Sequence, residues 1–300
     1  MKAVDLFAGC GGLSLGFMLE RYKIQCAFEN WKPAIDCYSK NFKHEIFEFD
    51  LSDIENSVDL ISKYSPDIII GGPPCQDFSH AGKRKEGTRA DLTNDFAEIV
   101  ISTNSQYFVM ENVDRAKNSI AYEMARQKFK DASYGLTEIV LDASLCGVPQ
   151  KRKRFFCIGC KNENDNFLNE LLIKNLSAKP MTIRDLYGDS FGIEHYYRHP
   201  RNYNRRAIFS IDEPAPTIRG VNRPVPSGYH GHKGDSKKLT KEIRQLTTRE
   251  RALLQTFPPN FIFDSTKTDA EQLIGNAVPV NLARFVAKAL MKFNKNKRYV

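Results

Sequence analysis

Three observations predict an α/β fold built on a doubly wound sheet with helices on both faces. Short β-rich runs alternate with helical patterns over the first 160 residues. A glycine-rich turn follows the first of these runs directly. After about residue 160 the composition changes, which predicts a second, smaller domain rich in loops and short strands. A length of 300 residues agrees, since domains usually run to ~100–200 residues.

The elements follow in order. Lys2–Phe7 reads as a strand, then the glycine turn opens a helix from Leu13 to Tyr22. Ile24–Glu29 is a second strand, followed by a helix through Pro33–Asn41. Pro33 suits a first turn, where its missing N–H costs nothing. Ile46–Asp50 and Asp67–Gly71 are further strands. A helix through Asp95–Ser102 precedes the strand Tyr107–Val113, and Leu136–Leu141 and Arg154–Gly159 look like two more strands. Beyond them, Asn162–Asn166 is polar and turn-prone, and residues 195–235 show no sustained periodicity. A helix returns at Thr248–Thr256, with Glu250 in its first turn and Pro258–Pro259 stopping it. A last helix runs from Asn281 to about Lys292, and the basic tail Lys292–Val300 is expected to fray.

A 41% hydrophobic content supports a real core and excludes a disordered or collagenous chain. No apolar run reaches the ~20 residues of a membrane helix. The first apolar stretch carries Asp5 and four glycines, unlike a secretory signal. Seven irregularly spaced cysteines point to reduced thiols and a cytoplasmic location. Charge is uneven. Residues 1–160 hold 20 Lys+Arg against 22 Asp+Glu, while residues 161–300 hold 24 against 14. The stretch 198–251 alone has 13 basic and 5 acidic residues. That asymmetry suggests a polyanion partner such as nucleic acid, or else a solvated basic face.

Four segments carry chemistry. Asp5-Leu-Phe-Ala-Gly-Cys-Gly-Gly12 lies between a strand and a helix, where glycines let a ligand approach the backbone. Glu29 ends the next strand, a place where an acid commonly bonds ribose hydroxyls. The run fits a dinucleotide fingerprint only in part, because position 14 is serine, so a nucleoside cofactor without phosphate, S-adenosylmethionine, fits better. Gly71-Gly-Pro-Pro-Cys-Gln-Asp-Phe-Ser79 holds Cys75 just past a strand. Its thiol is either a nucleophile awaiting activation or a small buried hydrophobe. Glu111-Asn-Val113 ends another strand, where a carboxyl needs a partner or a proton. In Gln150-Lys-Arg-Lys-Arg154, alternation puts Gln150, Arg152 and Arg154 on one face. That face could clamp a base or phosphate, or form an exposed basic edge. A single Cys157-Ile-Gly-Cys160, without a second pair, gives no metal site.

Taken together, in this order, these segments resemble the DNA (cytosine-5) methyltransferases of bacterial restriction-modification systems. Residues Arg244–Pro258 resemble the family's ninth motif and Gly275–Pro279 its tenth. The resemblance runs from Asp5 to about Arg284. It implies an S-adenosylmethionine-dependent, Rossmann-like large domain, residues 1–165 plus 268–300, and a small target-recognition domain, residues 166–267. It implies that Cys75 attacks cytosine C6, that Glu111 contacts N3 and the exocyclic amine, and that Arg154 and Arg152 orient base and thiol. Around the cofactor it places Phe7, Gly9, Cys10, Gly11, Gly12, Leu13, Glu29, Asn30, Asp50, Leu51, Pro74, Leu92, Asn276 and Val278. Asn30 stands where the family often has an apolar or aromatic side chain.

Attack at C6 requires the cytosine to leave the base stack. The candidate contacts to double-stranded DNA are Ser79, Lys83, Arg84, Arg89, Gln150, Arg201, Arg205, Arg206, Thr217, Arg219, Asn222 and Arg223. The segment from Ser79 to Leu92 has the composition of a basic lid. The resemblance further implies a monomer, S-adenosylhomocysteine as product and a cognate restriction endonuclease as genetic partner. A tRNA-modifying branch of the family and a non-catalytic DNA-binding relative are the alternatives.

Overall fold

The computed structural model describes residues 1–74, 92–200, 202 and 204–297. Contacts divide the chain into two compact units. The first comprises 1–141, 153–176 and 283–300, and the second 142–152 and 177–282. Residues 268–282, expected with the large domain, therefore pack within the second unit, as do 142–152.

The first unit is a seven-stranded sheet. Its strands are β1 (Lys2–Leu6), β2 (Lys23–Glu29), β3 (Glu45–Glu48), β4 (Ile68–Gly71), β5 (Tyr107–Val113), β6 (Tyr134–Asp142) and, past the two-residue β7 (Gln150–Lys151), β8 (Lys153–Lys161). Their spatial order is β3-β2-β1-β4-β5-β8-β6. The pairs from β3 to β5 are parallel, and β8 inserts antiparallel to β5. The order reverses between β1 and β4. That switch point is where an open α/β sheet binds ligands at its strand ends.

Between the strands run α1 (Gly12–Leu19), α2 (Lys32–Asn41), α3 (Ile54–Ser62), α4 (Leu92–Ser102) and α5 (Ile120–Asp131). Helices α3, α4 and α5 pack side by side. Right-handed crossovers put α1 and α2 on the opposite face. Val4, Leu6, Phe28, Ile69, Phe108 and Met110 share a core with Phe96 and Ile99 of α4 and Phe129 of α5. Alternation along β1 sends Asp5 the other way, toward α1 and α2.

The β5–β8 pair depends on a missing side chain. Gly159 lies opposite Phe108, and a Cβ there would sit 1.9 Å from the Phe108 ring. Phe108 in turn stacks on Phe129 at 4.0 Å between centroids.

In the second unit, α6 (Asn169–Lys174) having closed the first, come α7 (Ile183–Tyr187), β9 (His195–Tyr197), β10 (Ile208–Ser210), β11 (Ala215–Pro216), α8 (Thr248–Leu254) and α9 (Lys267–Asn276). Strands β9 and β10 form an antiparallel ribbon, and β11 pairs in parallel with β7. Helix α8 opens with a full capping box, in which the Thr247 and Glu250 side chains each accept from the other's backbone N–H. Helix α9 lies close to the chain at Arg219–Gly220, where a Cβ on Gly275 would meet the Gly220 nitrogen at 2.2 Å.

The last helix, α10 (Val280–Lys297), is longer than its sequence pattern indicates. Its first turn belongs to the second unit and the remainder to the first. The helix continues unfrayed through Lys297, because Tyr107 Oη donates to Asn294 (3.2 Å) and Lys297 Nζ to Glu163 (2.7 Å), while residues 298–300 of the expected tail lie outside the described residues. Among the described residues, no helix is long and apolar enough to cross a membrane.

Replacing Gly159 by alanine forces the Phe108–Phe129 stack apart. Overpacking of this kind costs roughly 1–3 kcal/mol. The expected result is a lower urea midpoint for Gly159→Ala, with Ser133→Ala, just before β6, shifting it much less.

Candidate active site

Glu111 and Arg154 meet through strand register. Glu111 on β5 faces Phe156 on β8, so Arg154, two residues along, is its diagonal neighbour on the same face. Arg154 Nε lies 2.9 Å from Glu111 Oε1, both side chains being mostly buried. Glu111 Oε2 lies over Gly72, where a Cβ would come within 3.2 Å. Next to it, Asn112 Nδ2 donates to the Pro73 carbonyl at 2.9 Å. The end of β5 thus holds both the charged pair and the backbone that leads into Pro74. Cys75 itself lies outside the described residues, with Ser79, Lys83, Arg84, Arg89 and Arg201.

Arg152 does something different from what alternation suggested. Its side chain is 1% exposed. Its guanidinium donates to the carbonyls of Ile218 (2.9 Å), Gly275 (2.9 Å) and Ala277 (3.0 Å). A guanidinium bonded to three carbonyls ties segments of the second unit together. Gln150, expected at DNA, is wholly buried. Its amide donates to Leu254 O (3.1 Å) and Gln255 Oε1 (2.8 Å) and accepts from Ile218 N (2.8 Å). The five-residue motif divides between the units, Gln150 and Arg152 in the second and Arg154 in the first.

The glycine turn has the open geometry expected of it. Phe7, Gly9 and Gly11 all have positive φ, 56°, 54° and 89°. That is ordinary for glycine and costs energy for phenylalanine. Nothing lies within 4 Å of a Cβ built on Gly9. Glu29 supports the turn, accepting N–H bonds from Gly9 (2.8 Å), Asn30 (2.9 Å) and Trp31 (3.0 Å). A carboxylate has about four lone-pair positions, so one remains for a hydroxyl. Open backbone over Gly9 and an acceptor on Glu29 fit the ribose end of S-adenosylmethionine.

Several residues expected at the cofactor have buried side chains. Cys10, Leu13 and Leu51 are buried, and Leu51 joins the apolar cluster under the sheet. Burial pushes the Cys10 thiol well above its ordinary value. Gly12 is buried in the first turn of α1. Asn30, Asp50 and Pro74 are exposed, and Phe7 and Leu92 half-buried. Asn276 and Val278 belong to the second unit, at the end of α9.

Sequence reasoning missed a buried polar chain behind the turn. Ser14 Oγ donates to Asp5 Oδ2 (2.6 Å) and meets Tyr38 Oη (2.6 Å), which meets His44 Nε2 (2.6 Å). Asp5 is fully buried and its Oδ1 has no hydrogen-bond partner among the described residues. Burial raises its carboxyl to about 7, with the Glu29 charge adding to the rise against the Ser14 hydrogen bonds. Ser14 at the position of a missing glycine was the available signal.

Of the expected DNA contacts, Arg206, Thr217 and Asn222 are, like Gln150, bonded within the second unit. Arg206 pairs with Glu213 and lies over the Phe209 ring at 4.3 Å. Thr217 Oγ1 donates to Lys151 O (2.7 Å), and Asn222 Nδ2 to Leu246 O (2.8 Å) and Glu271 Oε1 (3.1 Å). Arg219 donates to His199 O at 2.7 Å but is half-exposed. Arg205 and Arg223 are exposed.

The strand order, with an antiparallel strand inserted beside β5 and a glycine turn at the switch point, defines the Rossmann-like fold of the S-adenosylmethionine-dependent methyltransferases. The solved Dnmt2 methyltransferase of Schizosaccharomyces pombe has this fold, superposing with a TM-score of 0.71 at 18% identity over 97% of this chain and 98% of that one. A family model, C-5 cytosine-specific DNA methylase, matches residues 1–292, and the chain belongs to that family. It is 58% identical to the Type II methyltransferase M.HindV of Haemophilus influenzae over 98% of both chains. It is 52% identical to the Type II methyltransferase M.HgiDI of Herpetosiphon aurantiacus over 99% of this chain and 96% of that one.

The Asp5 carboxyl gives a pH dependence with a definite sign. Its folded-state value, about 7, lies above the ordinary 3.8. The folded state therefore holds the proton more tightly, and stability falls as pH rises from about 4 to 7. In Asp5→Asn this loss disappears, so the variant gains on the wild type over that interval, by up to about 4 kcal/mol. Urea denaturation at pH 5 and pH 8 measures the difference. A difference equal at both pH values contradicts the assignment.

Proposed function

We propose that this protein is a site-specific DNA (cytosine-5) methyltransferase, the modification half of a restriction-modification system working in the cytoplasm. The single observation that carries the reading is the Arg154–Glu111 pair at 2.9 Å, set over Gly72 and directly before the Pro-Pro-Cys turn. Family membership and the Type II relatives support the substrate class.

Each residue then has a defined task. Glu29 and the backbone of Phe7–Gly11 hold the ribose and orient the cofactor. S-adenosylmethionine, when bound, supplies an electrophilic methyl group and leaves as S-adenosylhomocysteine. Arg154 fixes Glu111 Oε1, so Oε2 faces the ring edge of a flipped cytosine. There Glu111 holds a proton at N3, which withdraws electrons from C6. The Cys75 thiolate adds to C6, which makes C5 nucleophilic toward the methyl group that the cofactor would supply, and loss of the C5 proton then expels Cys75 and restores the ring. Arg152 acts at a distance, as a positioning residue for Ile218, Gly275 and Ala277.

Labelled methyl transfer from S-adenosylmethionine to duplex DNA and to tRNA tests this. The expected outcome is label in DNA, none in Cys75→Ser, and a loss of about 10²- to 10⁴-fold in kcat for Glu111→Gln with S-adenosylhomocysteine binding retained. Label confined to tRNA overturns the substrate, and label in DNA with Cys75→Ser overturns the nucleophile.

A further inference from the structure

The glycine turn has a second support besides Glu29, and it comes from the end of α2. Gly11 closes the turn. Its N–H donates to Ala8 O (2.9 Å), and its carbonyl accepts the first helical bond of α1, from Leu15 N (2.9 Å). Aromatic rings fill the space that its missing side chain leaves. A Cβ on Gly11 would come within 2.6 Å of Phe42 Cζ and 3.0 Å of the Tyr38 ring. Tyr38 and Phe42 lie 4.2 Å apart between centroids, and His44 packs on both, at 5.5 and 5.4 Å. A platform of three rings therefore carries the residue that opens α1.

Tyr38 also reaches the turn through its hydroxyl, which lies 2.6 Å from both Ser14 Oγ and His44 Nε2. Tyr38, Ser14 and Asp5 are buried and His44 is half-buried. Each hydroxyl has one hydrogen, so the chain Asp5–Ser14–Tyr38–His44 can run in two directions. With Asp5 ionised, His44 donates to Tyr38, Tyr38 to Ser14 and Ser14 to Asp5. With Asp5 protonated, every donor reverses and the last hydrogen points at His44 Nε2. A neutral imidazole ends the chain in either sense, because its proton sits on Nε2 or on Nδ1. Burial lowers His44 and so favours that neutral ring. Asp5 has the uncharged Ala27 and Ile70 beside it in the sheet and feels the charge of Glu29, while Asp5 and Cys26 act on Tyr38. Tyr38 thus keeps both hydrogen bonds in either state of Asp5.

We propose that Tyr38 is a positioning residue for methyl transfer, its ring and hydroxyl holding Gly11 and Ser14 so that the turn meets S-adenosylmethionine already shaped. His44 is the reversible terminus that keeps the Tyr38 hydroxyl in place. A turn held before binding loses less freedom when its ligand arrives. Loss of this support therefore shows as weaker cofactor binding. The role rests on the S-adenosylmethionine reading of the site, which binding by the wild type tests separately.

The experiment is calorimetric binding of S-adenosylhomocysteine to the full chain, wild type against Tyr38→Phe, with His44→Phe as the second variant. Tyr38→Phe removes only the hydroxyl and keeps the ring against Gly11. His44→Phe keeps a ring beside Phe42 and removes the bond to Tyr38. Kd rises roughly 3- to 30-fold in Tyr38→Phe, the scale of one buried hydrogen bond, and by less in His44→Phe. In methyl-transfer kinetics, KM for S-adenosylmethionine rises by a like factor, more than kcat falls, and KM for DNA stays at the wild-type value. An unchanged Kd in both variants overturns the positioning role. A lower Tm with fewer binding-competent chains and an unchanged Kd leaves the rings as structure alone and overturns it too, as does a fall in kcat without a rise in KM. A wild type that binds no S-adenosylhomocysteine overturns the cofactor reading itself, and the role with it.

Discussion

The Arg154–Glu111 pair is the interaction from which the site is built. A carboxylate at the end of a buried strand is costly unless a partner offsets its desolvation. Here the partner comes from β8, and it reaches Glu111 only because β8 runs antiparallel to β5. A parallel strand in that position would deliver its side chains at a different slant and with its residues in the reverse order. The inserted strand therefore does more than extend the sheet. It brings a cation to the strand end where the sheet's own connectivity places chemistry. Gly72 and Gly159 make room for the arrangement from either side, one below Glu111 and one beneath Phe108.

The second unit solves a different problem. It has little regular structure, and its short strands cannot satisfy many carbonyls by themselves. Buried polar side chains take over. Arg152 satisfies three carbonyls, Gln150 bonds Leu254, Gln255 and Ile218, and Gln255 Nε2 donates to Ile274 and Ala277. Such a network specifies one arrangement because every member loses its partners if the chain shifts. Residues that sequence motifs mark out for chemistry here form the frame of the second unit.

Much of this was legible in sequence. The strands of the first unit were readable because parallel strands, buried on both faces, are continuous apolar runs. Glu111 and Arg154 were readable from their strand-end positions. Helix α5 was not, because Ile120 and Met124 are exposed and blur its amphipathic period. Its Ser119 cap was the better signal. The burial of Gln150 and Arg152 was beyond local reasoning. Their partners lie 66 to 125 residues away, and an arginine among lysines reads as surface. Asn222 likewise looked available although Glu271, 49 residues on, already holds it, whereas the Arg206 partner Glu213 lies only seven residues away.

Helix α10 carries a consequence for how the chain is made. Tyr22 donates to the Ala287 carbonyl, and Arg284 meets Glu20 across 264 residues. The early strands thus emerge from the ribosome long before the helix that covers them. Throughout synthesis of the second unit, the faces of Tyr22 and Tyr107 that α10 covers lack that helix. Folding of this kind is slow and exposes apolar surface for long periods. Truncation within α10 therefore harms the sheet at the opposite end of the sequence, and solubility in the cell depends on residues remote from any catalytic group.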